Sequence, residues 1–220
     1  MTEPLATMYY VHDPMCSWCW AYRPRMLEVR EALENTWSGR VAWRNVLGGL
    51  APDSDQPMPP EQQREIRSHW QKIQQITETR FNFDFWTDCE PRRDTYKACR
   101  AVIAADAQCS GDAMVEAIQK AYYLRAMNPS DYEVLVQLAE ELGLRKARFE
   151  HDLLSSDTEQ ALYQDLDLRS QLGVRSFPSL VLAHGDNLSM IDHDYHKVEP
   201  TLARIDTCLA LMRVSGPAGV

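Results

Sequence analysis

Two cysteines stand two residues apart in the stretch DPMCSWCWAYRP, Cys16 and Cys19, with Trp18 between them and Trp20 immediately after. Three chemistries fit such a pair: a redox couple, half of a metal site, or two small core residues. The pair follows a short apolar run, Met8-Tyr9-Tyr10-Val11, and opens a segment with helical spacing. A thiol at a helix N-terminus meets unpaired backbone N–H groups and the positive end of the helix dipole, which together favour a thiolate. A second thiol one turn on can attack the mixed disulfide that the first one forms, because positions i and i+3 are neighbours on a helix. By that logic Cys16 is the nucleophile and Cys19 the resolving thiol. A structural zinc site asks for a second CxxC or a His pair at short spacing, and Cys89, Cys99, Cys109 and Cys208 supply none. Inert burial accounts better for an isolated thiol than for this pair. On residues alone all three readings stay open.

Other reactive side chains are less pointed. His12 and Asp13 precede the pair and could relay a proton to Cys19; a turn closed by an Asx-type bond explains them equally well. The HDYH stretch, His193 to His196, lacks the carboxylate-and-cysteine frame of a metal site. Cys89, Cys99 and Cys109 recur every ten residues, a spacing that spreads them around a helix, and DCEPRR interrupts any helix before Cys99. The alternating aromatics of FNFDFW, Phe81 to Trp86, are either the wall of a substrate groove or packing. EPRRD and RKAR read as solvated surface.

The elements that must position the cysteines follow from periodicity. Met8 to Val11 reads as a buried strand stopped by His12-Asp13-Pro14. From Cys16 to about Trp37 the spacing is helical, with Met26, Val29 and Leu33 on one face, and Pro24 is expected to kink that helix. Val41 to Leu47 is a second strand. Pro59 and Pro60 then introduce a helix with Ile66, Trp70, Ile73 and Ile76 on one face. Further helices are expected over 94–108, 112–127 and 131–142, the last capped by Ser130-x-x-Glu133 and closed at Gly143. A short helix follows around Phe149 and Leu153. Ser156-x-x-Glu159 caps another that runs to Leu172 and Gly173. Ser179 to Ala183, a turn at HGDN, and LSMID read as a β-hairpin. Pro200 starts a final helix carrying Leu202, Ile205, Leu209 and Met212, and the tail SGPAGV is expected to fray. The layout is βαβ, a helical block of roughly 100 residues, then αββα. The expected organisation is a thioredoxin-like core, 1–50 and 155–220, with a helical insertion domain, 51–154.

Composition narrows the partners. A net charge of −9 over 220 residues argues against a nucleic acid or an anionic membrane surface, both of which repel it. No segment approaches the roughly 20 apolar residues of a spanning helix. The N-terminus MTEPLATMYYVHDP lacks the basic and apolar regions of a secretory signal. A cytoplasmic location is therefore expected, where a CxxC is more often catalytic or metal-binding than structural.

DPMCSWCW, GVRSFPSLVL with its Pro178, and Pro24 five residues after Cys19 together carry a resemblance. The chain resembles the DsbA-like branch of the thioredoxin superfamily, especially its cytosolic FrnE-like members, and the helical block matches that branch's insertion. The resemblance implies an α/β thioredoxin-like fold and a thiol-disulfide oxidoreductase without metal or organic cofactor. It implies Cys16 as the attacking thiolate, Cys19 as the resolving thiol, and Pro178 as a cis-proline whose loop docks substrate backbone. Phe177 and Trp18 would touch substrate, and Ser17, with His12 and Asp13, would tune the couple. Protein or small-molecule thiols and disulfides would be the substrates, glutathione being a candidate co-substrate, and the protein would be a monomer or homodimer. Periplasmic DsbA proteins carry a histidine between the cysteines; Ser17 and Trp18 do not reproduce it, so a strongly oxidising couple is not implied. Two rival classes are a glutathione-dependent transferase or isomerase of the kappa and hydroxychromene-carboxylate isomerase type, which uses a serine near the position of Cys16, and a chaperone-like binding module.

Overall fold

The computed structural model describes residues 4–214. A strand β1 (Ala6–His12) leads into helix α1 (Ser17–Thr36) and strand β2 (Val41–Leu47). Helices α2 (Pro60–Thr77), α3 (Phe85–Asp88), α4 (Tyr96–Asp106), α5 (Gly111–Leu124), α6 (Tyr132–Glu141) and α7 (Lys146–Leu153) follow. The chain then closes with α8 (Ser156–Gln171), the hairpin β3 (Ser179–His184) and β4 (Asn187–Ile191), and α9 (Glu199–Val214). The four strands form one mixed sheet in the order β2-β1-β3-β4. β1 pairs parallel with β2 and antiparallel with β3, and β3 pairs antiparallel with β4. This is the expected thioredoxin-like α/β architecture, with a helical block between β2 and α8.

The central strand β1 is covered on both sides, which is why its sequence is a nearly unbroken apolar run. Met8 and Tyr10 point into a cluster with Tyr22, Met26, Val29 and Leu33 of α1 and Ile205 and Leu209 of α9. Val11, one step out of phase, joins Val46, Val181, Leu172 and Val174 on the face that α8 covers. A third cluster fills the helical block around Trp70, Phe85, Ile118 and Tyr123, and it reaches Met15 and Leu47 at the edge of the sheet. The CxxC turn therefore sits where the sheet, α1 and the helical block meet.

Several local expectations are corrected. Ser156 does not cap α8; Ser155 does, its hydroxyl accepting the Thr158 N–H at 3.2 Å. Ser130 does not cap α6: Asp131 occupies the cap position, and the Ser130 hydroxyl donates to the Asp94 carbonyl. Ile76 is 44% exposed rather than on the buried face of α2. Helix α1 keeps Pro24 inside its span, as the helical spacing from Cys16 to about Trp37 predicts. The aromatics of FNFDFW surround Trp70, with ring centroids of Phe81, Phe83, Phe85 and Trp86 at 4.9–6.1 Å from it, so they pack the helical block. The Met212 side chain and the tail Ser215–Val220 lie outside the described residues.

Candidate active site

The loop Asp13-Pro14-Met15 between β1 and α1 is held from both sides. The Asp13 carbonyl accepts the Cys16 N–H at 3.1 Å, and the Asp13 carboxylate accepts the Met15 N–H at 2.7 Å, an Asx-type turn. Tyr123 of α5 donates its hydroxyl to the Met15 carbonyl at 2.6 Å. Cys16 is consequently fixed at the N-cap of α1, with φ −82° and ψ 119°. Its thiol donates to the Phe177 carbonyl at 3.6 Å. Residue 177 precedes a proline, and the Phe177–Pro178 peptide bond is cis.

Cys16 is 6% exposed and Cys19 fully buried, and both are free thiols. Burial pushes the Cys19 thiol well above the usual range; its hydrogen bond with Cys16 and the Cys16 charge push the same way, while the Asp13 backbone N–H opposes them. The two sulfurs thus differ in access: Cys16 lines a cavity, and Cys19 lies behind it. A cavity of about 320 Å³ opens on the helical-block side, lined by Cys16, Trp18, Trp70, Arg92, Arg93 and Arg175 among others. A second, about 600 Å³, opens on the sheet side against Trp18, Phe177, Pro178, Met190 and Tyr195. Trp18 and Phe177 line both cavities. Trp18 packs edge-on against Tyr195 at 5.1 Å, and Ser17 lines the helical-side cavity.

The structure separates His12 from Asp13. The His12 ring stacks on Tyr10 at 4.7 Å and lines a different cavity, between β2 and α5. Burial lowers His12 to about 4, so its ring is neutral near pH 7. Asp13 faces the helical block. Its Oδ2 accepts the Leu50 N–H at 2.6 Å and the Thr95 hydroxyl at 2.7 Å, and the Cys99 thiol lies 3.7 Å away. Burial holds Asp13 above the usual carboxylate range, and those same donors pull it back. The remaining candidates disperse. Cys89 donates to the Ala126 carbonyl, Cys109 is exposed, and Cys208 is half-buried beside the α1–α9 cluster. His193 packs against Tyr22 and Tyr195, and no cluster of three metal-ligating side chains occurs among the described residues.

Thr95, Tyr123 and Arg175 were not singled out by sequence pattern, and Cys99 was noted only for its ten-residue spacing. EPRRD is corrected from solvated surface, since its Arg92 and Arg93 line the helical-side cavity. Tyr123 and Thr95 touch the active-site loop from 108 and 82 positions away, and no local spacing encodes such contacts.

Comparison with known proteins agrees with this geometry. A family model described as Thioredoxin matches residues 9–198. A solved protein from Nitrosomonas europaea is similar at 27% identity and a TM-score of 0.77, over 94% of this chain and 98% of that one. The cytosolic disulfide reductase DsbM from Pseudomonas aeruginosa is similar at 25% identity and a TM-score of 0.75, over 93% of this chain and 99% of that one, and it has also been solved with GSH. The ClpXP adapter protein SpxH of Halalkalibacterium halodurans is 24% identical over 81% of this chain, which spans only 58% of that relative's length. No helix among the described residues is long and apolar enough to cross a membrane. With a family model spanning most of its length and a CxxC at the head of α1, the chain belongs to the thioredoxin family.

Proposed function

We propose that this protein is a thiol-disulfide oxidoreductase acting in the cytoplasm through Cys16 and Cys19. The observation that carries the reading is the unequal setting of the two sulfurs: Cys16 at a helix N-cap on a cavity wall, Cys19 fully buried one turn behind it. In the reducing direction the Cys16 thiolate attacks one sulfur of a substrate disulfide. A Cys16–substrate disulfide forms and the other substrate sulfur leaves as a thiolate. Cys19 loses its proton and attacks the Cys16 sulfur, which closes the Cys16–Cys19 disulfide and releases the second substrate thiolate. Two electrons pass from the dithiol to the substrate, and the oxidising direction is the reverse.

Pro178 and Phe177 form the loop on which substrate backbone docks, and Trp18 is the wall common to both cavities. Ser17, Trp18, Phe177 and Asp13 set the poise of the couple, and His12, turned to the cavity between β2 and α5, takes no part in it. No metal or organic cofactor takes part. Protein disulfides fit the sheet-side cavity along Pro178. Glutathione fits the helical side as a co-substrate. Arg92, Arg93, Arg175 and His69 line that cavity with no carboxylate among its described lining residues, and the similar DsbM has been solved with GSH. A transferase of the kappa type would carry a serine where Cys16 stands, which the paired thiols disfavour.

The test is turnover of insulin and of glutathione disulfide. Cys16→Ser is expected to lower both rates at least 1,000-fold, the scale on which loss of an essential nucleophile is felt. Cys19→Ser should accumulate a Cys16–substrate disulfide visible by mass spectrometry. Glutathione-dependent activity that survives Cys16→Ser would replace this reading with the transferase one.

A further inference from the structure

Gly48 follows β2 directly and touches neither cysteine, yet the space it leaves empty is filled from the active site. A Cβ built on Gly48 would lie 2.2, 2.3 and 2.8 Å from Cε1, Cζ and Cδ1 of Phe177. The Phe177 ring therefore occupies the volume of the missing side chain. The opposite end of the same residue, its carbonyl, is the acceptor 3.6 Å from the Cys16 sulfur. Gly48 is itself anchored. Its N–H donates to the His12 carbonyl at 2.6 Å, and Arg169 of α8 donates from Nη1 to the Gly48 carbonyl at 2.8 Å.

The neighbouring Gly49 is required for a different reason, since it has φ +60°, a conformation L side chains rarely adopt. Gly48 is not among the glycines of positive φ. Its backbone tolerates alanine, and the objection to a methyl group there comes from the Phe177 ring.

We infer that Gly48 is a positioning residue for the thiol-disulfide exchange proposed above: it seats the Phe177 ring and so sets the Phe177 carbonyl against Cys16. The inference rests on that functional reading. A ring displaced from Gly48 has as its open space the helical-side cavity that Cys16 lines and the sheet-side cavity along Pro178, because Phe177 lines both. The displacement would move the carbonyl and narrow a substrate cavity together. The carbonyl accepts a hydrogen bond only from the protonated thiol, so the contact favours the reduced pair. Its loss is expected to make the couple more reducing.

Gly48→Ala is the probe, with Gly48→Ala/Phe177→Val as the repair, because valine removes the ring atoms that the new methyl meets. The expected result is a drop of at least tenfold in kcat/KM for glutathione disulfide, since misplacement of about 1 Å at a reacting centre can cost far more. The equilibrium constant of the Cys16–Cys19 pair against a glutathione buffer should shift roughly threefold toward the disulfide form, the size of one modest hydrogen bond. In the double variant kcat/KM should lie within about threefold of that of Phe177→Val alone, because without the ring the new methyl meets nothing, and thermal unfolding of all four proteins is compared alongside. A Gly48→Ala protein with unchanged kcat/KM and unchanged equilibrium constant overturns the inference. So does a double variant whose kcat/KM falls as far below that of Phe177→Val as Gly48→Ala falls below wild type. Wild-type protein with no Cys16-dependent turnover would sink the exchange reading itself, a separate failure.

Discussion

Asp13 shows how much one buried carboxylate organises around the reactive pair. Four donors converge on its two oxygens: the N–H groups of Met15 and Leu50, the Thr95 hydroxyl and the Cys99 thiol. The first shapes the cysteine loop, the second fixes the chain leaving β2, and the last two belong to the helical block. A carboxylate offers about four lone-pair sites, so it can serve all of them, whereas an amide offers a single oxygen. Asp13→Asn is therefore expected to strand at least one buried N–H, at about 2 kcal/mol of stability in urea denaturation. Thr95→Val should cost less alone, and the pair of substitutions should be non-additive by at least about 0.5 kcal/mol, because both act on one hydrogen-bond network. Full additivity, or an Asp13→Asn protein as stable as the parent, would show that the carboxylate does not join the two parts. An Asx turn at Asp13 was legible in the sequence. The contacts to Thr95 and Cys99 were not, since they cross 82 and 86 positions.

At the level of elements, the strand-turn-helix around Cys16 was readable because every cue there is local. An apolar run ends in His-Asp-Pro, and a 3.6-residue period begins just after the first cysteine. The caps of the later helices were harder to read. In the stretch SSDTE both serines have an acceptor oxygen and helical residues three positions on, so the pattern alone does not choose between them. Tertiary context does: the Ser155 hydroxyl also donates to the Asp152 carbonyl of α7 at 2.8 Å, which holds it in place to accept from Thr158. Asp131, at the cap of α6, pairs with Arg92, and Ser130 is committed to the Asp94 carbonyl. The structure makes a clean distinction that the sequence pattern reverses. Ser155→Ala should lower stability by about 1 kcal/mol, the ordinary cost of a lost N-cap. Ser156→Ala, just inside the helix, should stay within about 0.5 kcal/mol, as most surface substitutions do. Urea midpoints for the two variants decide it, and the reverse order would reinstate Ser156 as the cap.

The whole molecule places a layer of helices over the end of β1, and that layer determines how the protein answers to acid. In sequence His12 reads either as a proton relay to Cys19 or as part of the turn that ends β1. The helical block and β2 cover it instead, leaving it 2% exposed with its Nδ1 lacking a hydrogen-bond partner. Burial lowers His12 from 6.5 to about 4. Between those values the unfolded chain binds a proton that the folded chain does not, so stability rises with pH across the window and is lost as pH falls from about 6.5 to about 4. The difference amounts to roughly 3 kcal/mol at about 1.4 kcal/mol per pH unit. Asp13 works in the opposite sense, since a carboxylate held above its unfolded value loses stability as pH rises past that value. A variant at position 12 keeps that contribution constant. His12→Phe retains a ring to stack on Tyr10 and cannot titrate. Denaturant unfolding at pH 7 and at pH 4 should show the wild type losing roughly 3 kcal/mol more than His12→Phe over that interval. Parallel pH profiles for the two proteins would mean that His12 is protonated within the fold, and that the space between β2 and α5 is far wetter than its packing implies.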